Sequence, residues 1–444
     1  VNYSSLVGST ISVSTLNVSS ATTSTLQTPL LQVSTLATST IGTGATSAYA
    51  LDVRGAAYVS TITAPIDQID QGPYLLPSAA NSSMITAWIQ KTVNTVMASS
   101  ASFWSAPTAS AYGTTGSVPG GYNYIGGVLV PDGRVVFVPY QSASIGLFTP
   151  ATNTYSTTSL SPSPGTNAFV GGVLLPDGRV VFIPSNATVI GLFNPITNAY
   201  STPANVAVGG NKYAGGVLLP DGRVVFVPSS ATTIGLFNPA TSAYTTVTPS
   251  SPSLPGSGAY NCGVLLPDGR VVFVPAGATT IGLFDPASGT NGGYSTITPS
   301  SPVLPGNTAF YGGVLLPDGR VLFVPYNSTA IGIFNPSTNT YSTVAGVTTS
   351  GGFVGGVLLP DGRVVLVPAN ATSIGIYNPA LTGAASYTTV AANLPGGAAS
   401  FFGGVLLHDG RVVFIPLTNT SVGLYLTNTP APAEFCLHPF FNKF

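Results

Sequence analysis

The 444-residue chain has little charge. Eleven basic and twelve acidic side chains, 23 in all, make up 5% of it, against about 25% in an ordinary soluble domain. The formal net charge of -1 leaves no electrostatic footprint for nucleic acid or an anionic membrane. Long apolar runs are also missing. Mean hydropathy is positive, yet runs such as Val135 to Val138 end at once in Pro or Gly, and a spanning helix needs about 20 apolar residues. No membrane span is expected. Two Cys, Cys262 and Cys436, are too few for a disulfide scaffold. Two His, His408 and His438, leave little for metal or acid–base chemistry. By contrast, 52 Gly and 38 Pro exclude a mainly helical chain.

What the chain does have is repetition. A segment close to Gly-Gly-Val-Leu-Leu-Pro-Asp-Gly-Arg-Val-Val-Phe-Val-Pro occurs seven times, with its acid at Asp132, Asp177, Asp221, Asp268, Asp318, Asp361 and Asp409. The spacings run from 43 to 50 residues. Pro-Asp-Gly is tight-turn chemistry, with Pro presetting φ and Gly accepting φ > 0. It separates a Gly-Val-Leu-Leu strand from an Arg-Val-Val-Phe-Val strand that is apolar on both faces, as a strand covered on both sides must be. An Ile-Gly-Leu-Phe strand and a strand around Tyr complete each unit. Four strands in 40–50 residues make a β-propeller blade.

The seventh unit lacks its fourth strand, and a stray copy stands before the first unit at Ala111 to Thr115. With it, the fourth-strand tyrosines are Tyr112, Tyr155, Tyr200, Tyr244, Tyr294, Tyr341 and Tyr387. The expectation is an all-β, seven-bladed propeller over residues 108–430. Its ring is closed by the N-terminal strand, which removes exposed sheet edges. The units resemble kelch and WD-repeat propellers, with the Gly-Gly opening closer to kelch. That resemblance covers about three quarters of the chain and bears on fold rather than function.

The first hundred residues differ. Leu6, Ile11, Leu16, Ala21, Leu26, Leu31, Leu36 and Ile41 recur every five residues within residues 1–46. That period fits neither helix nor flat strand and suits a regularly turning stalk. The pattern resembles pentapeptide β-helices and the shafts of viral fibres, which implies self-association as a homotrimer or docking along a partner; the alternative is a disordered Ser/Thr linker. Residues 47–80 read as a β-hairpin and linker. Residues 81–104 carry an amphipathic helix, with Met84, Ile85, Trp88, Ile89, Val93, Val96 and Met97 on one face. Residues 431–444 form an aromatic tail.

Candidate sites are few. The seven Asp-Gly-Arg turns hold 14 of the 23 charges. They read as structural turns whose Arg bridges neighbouring blades, rather than as a charged ligand ring, because every unit repeats them. No catalytic residue, metal site or cofactor is assigned. Copper-radical oxidases built on kelch-like propellers need several ligand His, which this chain does not supply. One pattern invites a ligand-binding reading. The residue two before each Gly-Gly position is aromatic in all seven units: Tyr124, Phe169, Tyr213, Tyr260, Phe310, Phe353 and Phe401. These rings either stack on sugars at a channel mouth or pack between blades. Sequons at Asn186, Asn327, Asn370 and Asn419 share one loop position and are candidate glycosylation sites.

The Ser-Thr-Leu pentads, the Gly-Val-Leu-Leu-Pro-Asp-Gly-Arg units and the Pro439 to Phe444 tail together resemble surface proteins of large DNA viruses of algae and other protists. That resemblance implies a non-enzymatic minor capsid, vertex or fibre component at the virion surface or in the extracellular space. It would be held to capsid or other surface proteins by its stalk and would meet host glycans through its head. The alternatives are a secreted cell-wall or matrix adhesin and, less favoured, a glycan-active enzyme.

Overall fold

The computed structural model describes residues 111–206, 210–347, 351–391, 394 and 400–427. The stalk, hairpin, helix and tail expected above lie outside the described residues, as do Cys436 and His438.

Seven four-stranded antiparallel sheets make a seven-bladed propeller. Blade 1 comprises β2 (Tyr124–Leu129), β3 (Val135–Pro139), β4 (Ser144–Thr149) and β5 (Thr154–Ser159). The next five blades repeat this order. Blade 7 has β26 (Phe401–Leu406), β27 (Arg411–Pro416) and β28 (Ser421–Leu426), and its outer strand is β1 (Ala111–Ser117). Tyr112 pairs with Tyr425 and Gly113 with Leu424 in antiparallel register. The N-terminal strand therefore clasps the ring, as the misplaced tyrosine indicated.

Burial explains where the hydrophobicity goes. Every second strand, from Val135–Pro139 to Arg411–Pro416, is buried at all five positions from its first valine to its last proline. Both its faces meet apolar side chains, and the core is divided into seven clusters that each span two neighbouring blades. One, for example, joins Val128, Val136 and Ile145 of blade 1 to Phe169, Phe182 and Phe193 of blade 2. Fourth strands such as Thr154–Ser159 are largely exposed, which accounts for their Ser and Thr.

The Gly-Gly pair is forced by close approach. A Cβ on Gly127 would lie 2.5 Å from Ile415 Cδ1 of blade 7. One on Gly126 would lie 3.0 Å from the Gly171 Cα of blade 2, at a φ of +85°, where L residues are strained. The innermost strands of adjacent blades thus meet backbone to backbone around the axis.

Candidate functional site

The meander gives the ring two unlike rims. At one rim sit the turns between first and second strands. In each, the Gly takes positive φ, from 83° at Gly410 to 89° at Gly269. Each Asp Oδ1 accepts the backbone N–H of the Arg two residues on, as in Asp177 with Arg179 at 3.0 Å. The Asp carboxylate also forms an ion pair with the same guanidinium, at 2.6–2.7 Å in all seven turns. Partial burial alone would raise the Asp177 carboxyl. The hydrogen bonds from Arg179 outweigh it and hold the pKa below the ordinary carboxylate value. Two arginines also cross blade seams. Arg134 Nη1 donates to Asn198 Oδ1 at 3.1 Å and its Nη2 to the Pro195 carbonyl of blade 2. Arg411 Nη2 donates to the Pro150 carbonyl at 3.2 Å, across the closing seam. These charges are engaged in holding turns and seams. His408, in the seventh turn, is exposed.

The opposite rim carries the loops between second and third strands and those between blades. Backbone bonds stitch it together: Ala168 N–H donates to the Tyr140 carbonyl at 2.8 Å, and Gly352 N–H to the Tyr326 carbonyl at 3.0 Å. All four described sequons lie here. Asn327 is exposed, while the Asn419 side-chain nitrogen is buried without a hydrogen-bond partner and is closed to a modifying enzyme. Among the described residues, Asp285 and Lys212 are the charged side chains outside the seven turn pairs.

The seven recurring aromatics start the innermost strands at this rim, but they do not face the channel. Tyr124, Phe169, Tyr213, Tyr260, Phe310, Phe353 and Phe401 are all at most 2% exposed. Their rings lie along the blade and fill the space above the third-strand glycine; a Cβ on Gly146 would stand 3.1 Å from Tyr124 Cζ. Each then reaches toward the fourth-strand tyrosine. Tyr213 and Tyr244 share a hydrogen bond between hydroxyls at 2.7 Å, as do Tyr260 and Tyr294, and Tyr124 bonds Tyr155 likewise. In three of the four blades whose inner ring is Phe, the partner is stranded: the buried hydroxyls of Tyr112, Tyr200 and Tyr341 have no hydrogen-bond partner. These recurring rings are blade core, and no face is open for a sugar to stack on.

The channel is lined instead by the next residue along. A bulge after each aromatic redirects the chain, as bulges do. One residue from each blade then faces an axial cavity: Ile125, Val170, Ala214, Asn261, Tyr311, Val354 and Phe402, each followed on the wall by Gly or, in blade 4, Cys262. The cavity is narrow, about 40 Å³, and opens to solvent. Unlike the buried aromatics, this set breaks the repeat. Tyr311 and Phe402 meet edge to face at 5.0 Å, and Tyr311 meets Tyr326 at 5.2 Å. Burial, followed by the proximity of Tyr326 and Tyr140, pushes the Tyr311 hydroxyl up to about 12. Cys262, which stands where the other units have the first Gly of the Gly-Gly pair, is a small buried wall residue. Sequence reasoning missed this ring because its members share no residue type. Their irregularity within a strict repeat was the available signal.

No family model and no curated protein sequence matches the chain. Solved structures do. A streptogramin B lyase aligns with a TM-score of 0.59 at 17% identity, over 72% of this chain and 99% of that one. The virginiamycin B lyase from Staphylococcus aureus aligns with a TM-score of 0.59 at 15% identity, over 72% and 100%. YCF48, solved bound to a D1 peptide, aligns with a TM-score of 0.53 at 11% identity, over 72% and 97%. At such identities the likeness establishes the propeller fold.

Proposed function

We propose that the protein is a non-enzymatic structural or attachment component of a virion surface, and that its propeller is a contact head working through the loop rim. The carrying observation is the segregation of charge. All seven Asp–Arg pairs sit on the turn rim, where they brace turns and seams. The loop rim presents Asn, Ser, Thr and Tyr around a cavity walled by apolar, aromatic and amide groups. A rim of variable loops that carries one charge among the described residues, Lys212, on a rigid ring suits recognition of surfaces with little charge. The pentad-repeat segment before residue 47 supplies the attachment end of this reading, docking on capsid or other surface proteins. Mass spectrometry of purified virions from large DNA viruses of algae and protists tests it. Peptides of this chain are expected in the surface-released fraction. Their absence there, with recovery from host cell-wall extracts, would overturn the virion reading in favour of a matrix adhesin.

A further inference from the structure

We propose that the loop-rim mouth of the axial cavity is a carbohydrate subsite that takes one terminal ring of an uncharged glycan; this rests on the attachment reading and gives it a ligand class. A sugar ring offers apolar C–H faces and a girdle of hydroxyls. The mouth offers the complement of both. Tyr311, Tyr326 and Phe402 form a contiguous aromatic wall, with ring centres 5.0 and 5.2 Å apart. Among the described residues, the Asn261 amide and the hydroxyls of Tyr140, Tyr311 and Tyr326 take part in no hydrogen bond, and all four side chains are half-buried. An amide both donates and accepts, as does a phenol, so four groups that answer polyol hydroxyls surround one mouth.

Other ligand classes fit less well. A purely aliphatic ligand would desolvate these four polar groups and leave them unpaired, which is costly. A phosphate, sulfate or carboxylate would be desolvated with no counter-charge on the cavity wall itself, Lys212 standing outside that lining in the loop that enters blade 3. The aromatic wall belongs to blades 5 and 7, and the positions matching Tyr140 and Tyr326 in blades 2, 3, 4 and 6 are Ser185, Ser229, Ala276 and Ala369. The mouth is therefore walled on one side and open on the other, which admits a ring lying against Tyr311 and Tyr326.

The test titrates the full-length chain with methyl glycosides of glucose, galactose, mannose and N-acetylglucosamine, read by saturation-transfer NMR, with sialyllactose as the charged comparator. At least one uncharged glycoside is expected to bind, with a Kd on the order of 1 mM for a single ring. Asn261→Ala and Tyr326→Phe should each weaken it by about fivefold or more, with melting curves like the parent. Leu381→Ala, at an exposed site on the turn rim, should not weaken it. Tyr311→Ala should abolish binding; if it misfolds, the two milder variants still decide. Failure of every uncharged glycoside, binding of sialyllactose alone, or unchanged affinity in both folded variants would overturn the proposal. A chain that binds glycoside but is absent from virions defeats the virion reading and leaves the subsite standing.

Discussion

The two rims of this propeller are built from the same seven repeats and differ in how far the repeats agree. At the turn rim every blade has the same Asp, Gly and Arg in the same geometry, with Gly φ confined to 83–89°. At the loop rim the equivalent wall positions range from Ala214 through Asn261 to Tyr311. Uniformity marks what each blade needs in order to fold and meet its neighbour. Irregularity on an otherwise uniform frame marks what folding does not require. The same contrast holds one residue apart: Phe310 is sealed in the blade, while Tyr311 faces the cavity.

Breaking the frame should cost most. Deleting residues 108–116 removes most of β1 and with it Tyr112, which packs against Phe401 and Phe414. The expected loss is about 4 kcal/mol or more, the scale of removing a buried aromatic, with aggregation through the bared edge of β28. An unchanged melting curve would show that the clasp is dispensable. Gly126→Ala, which presses a Cβ against the Gly171 backbone at positive φ, should cost about 1–3 kcal/mol in denaturant unfolding.

A gain should come from completing the tyrosine pairs. Phe310→Tyr places a hydroxyl beside the stranded hydroxyl of Tyr341, reproducing the Tyr260–Tyr294 pair. Stabilisation of about 1 kcal/mol is expected, measured by chemical denaturation. A loss would mean that the ring has no room to shift.

Smallest is the effect of the turn charges. Asp177→Asn keeps an oxygen for the Arg179 N–H and removes only a surface ion pair, worth about 0–1 kcal/mol. Five turn carboxyls, those of Asp132, Asp177, Asp221, Asp268 and Asp318, are held below their ordinary value by their arginines, against the opposing pull of burial. A depressed folded pKa contributes stability above the unfolded value near pH 4. That contribution is lost as pH falls further through the folded pKa. Thermal melts should therefore be flat in this respect from pH 5 to 7 and decline below about pH 4.

Much of the frame was legible in the sequence. Seven Asp-Gly turns gave the blade number, and the fourth-strand tyrosine displaced to position 112 gave the closure, because each depends on local chemistry that repeats. The second strand's continuous apolar run gave its double-sided burial. The cavity wall was not legible. Which residue faces the axis is decided by a bulge after Tyr124 and its counterparts, and a bulge shifts side-chain direction by one position without a residue type to announce it. The recurring aromatics drew attention to the sealed position for that reason.

The central claim, that the loop rim is the contact face and the turn rim is scaffold, is tested most directly by binding of the full chain to a glycan array in two double variants. One carries Asn261→Ala with Tyr326→Phe at the loop rim. The other carries Asp177→Asn with Arg179→Gln at the turn rim. The loop-rim variant should lose about tenfold or more in apparent affinity while the turn-rim variant binds as the parent does. Equal losses in both, or loss confined to the turn-rim variant, would contradict the account.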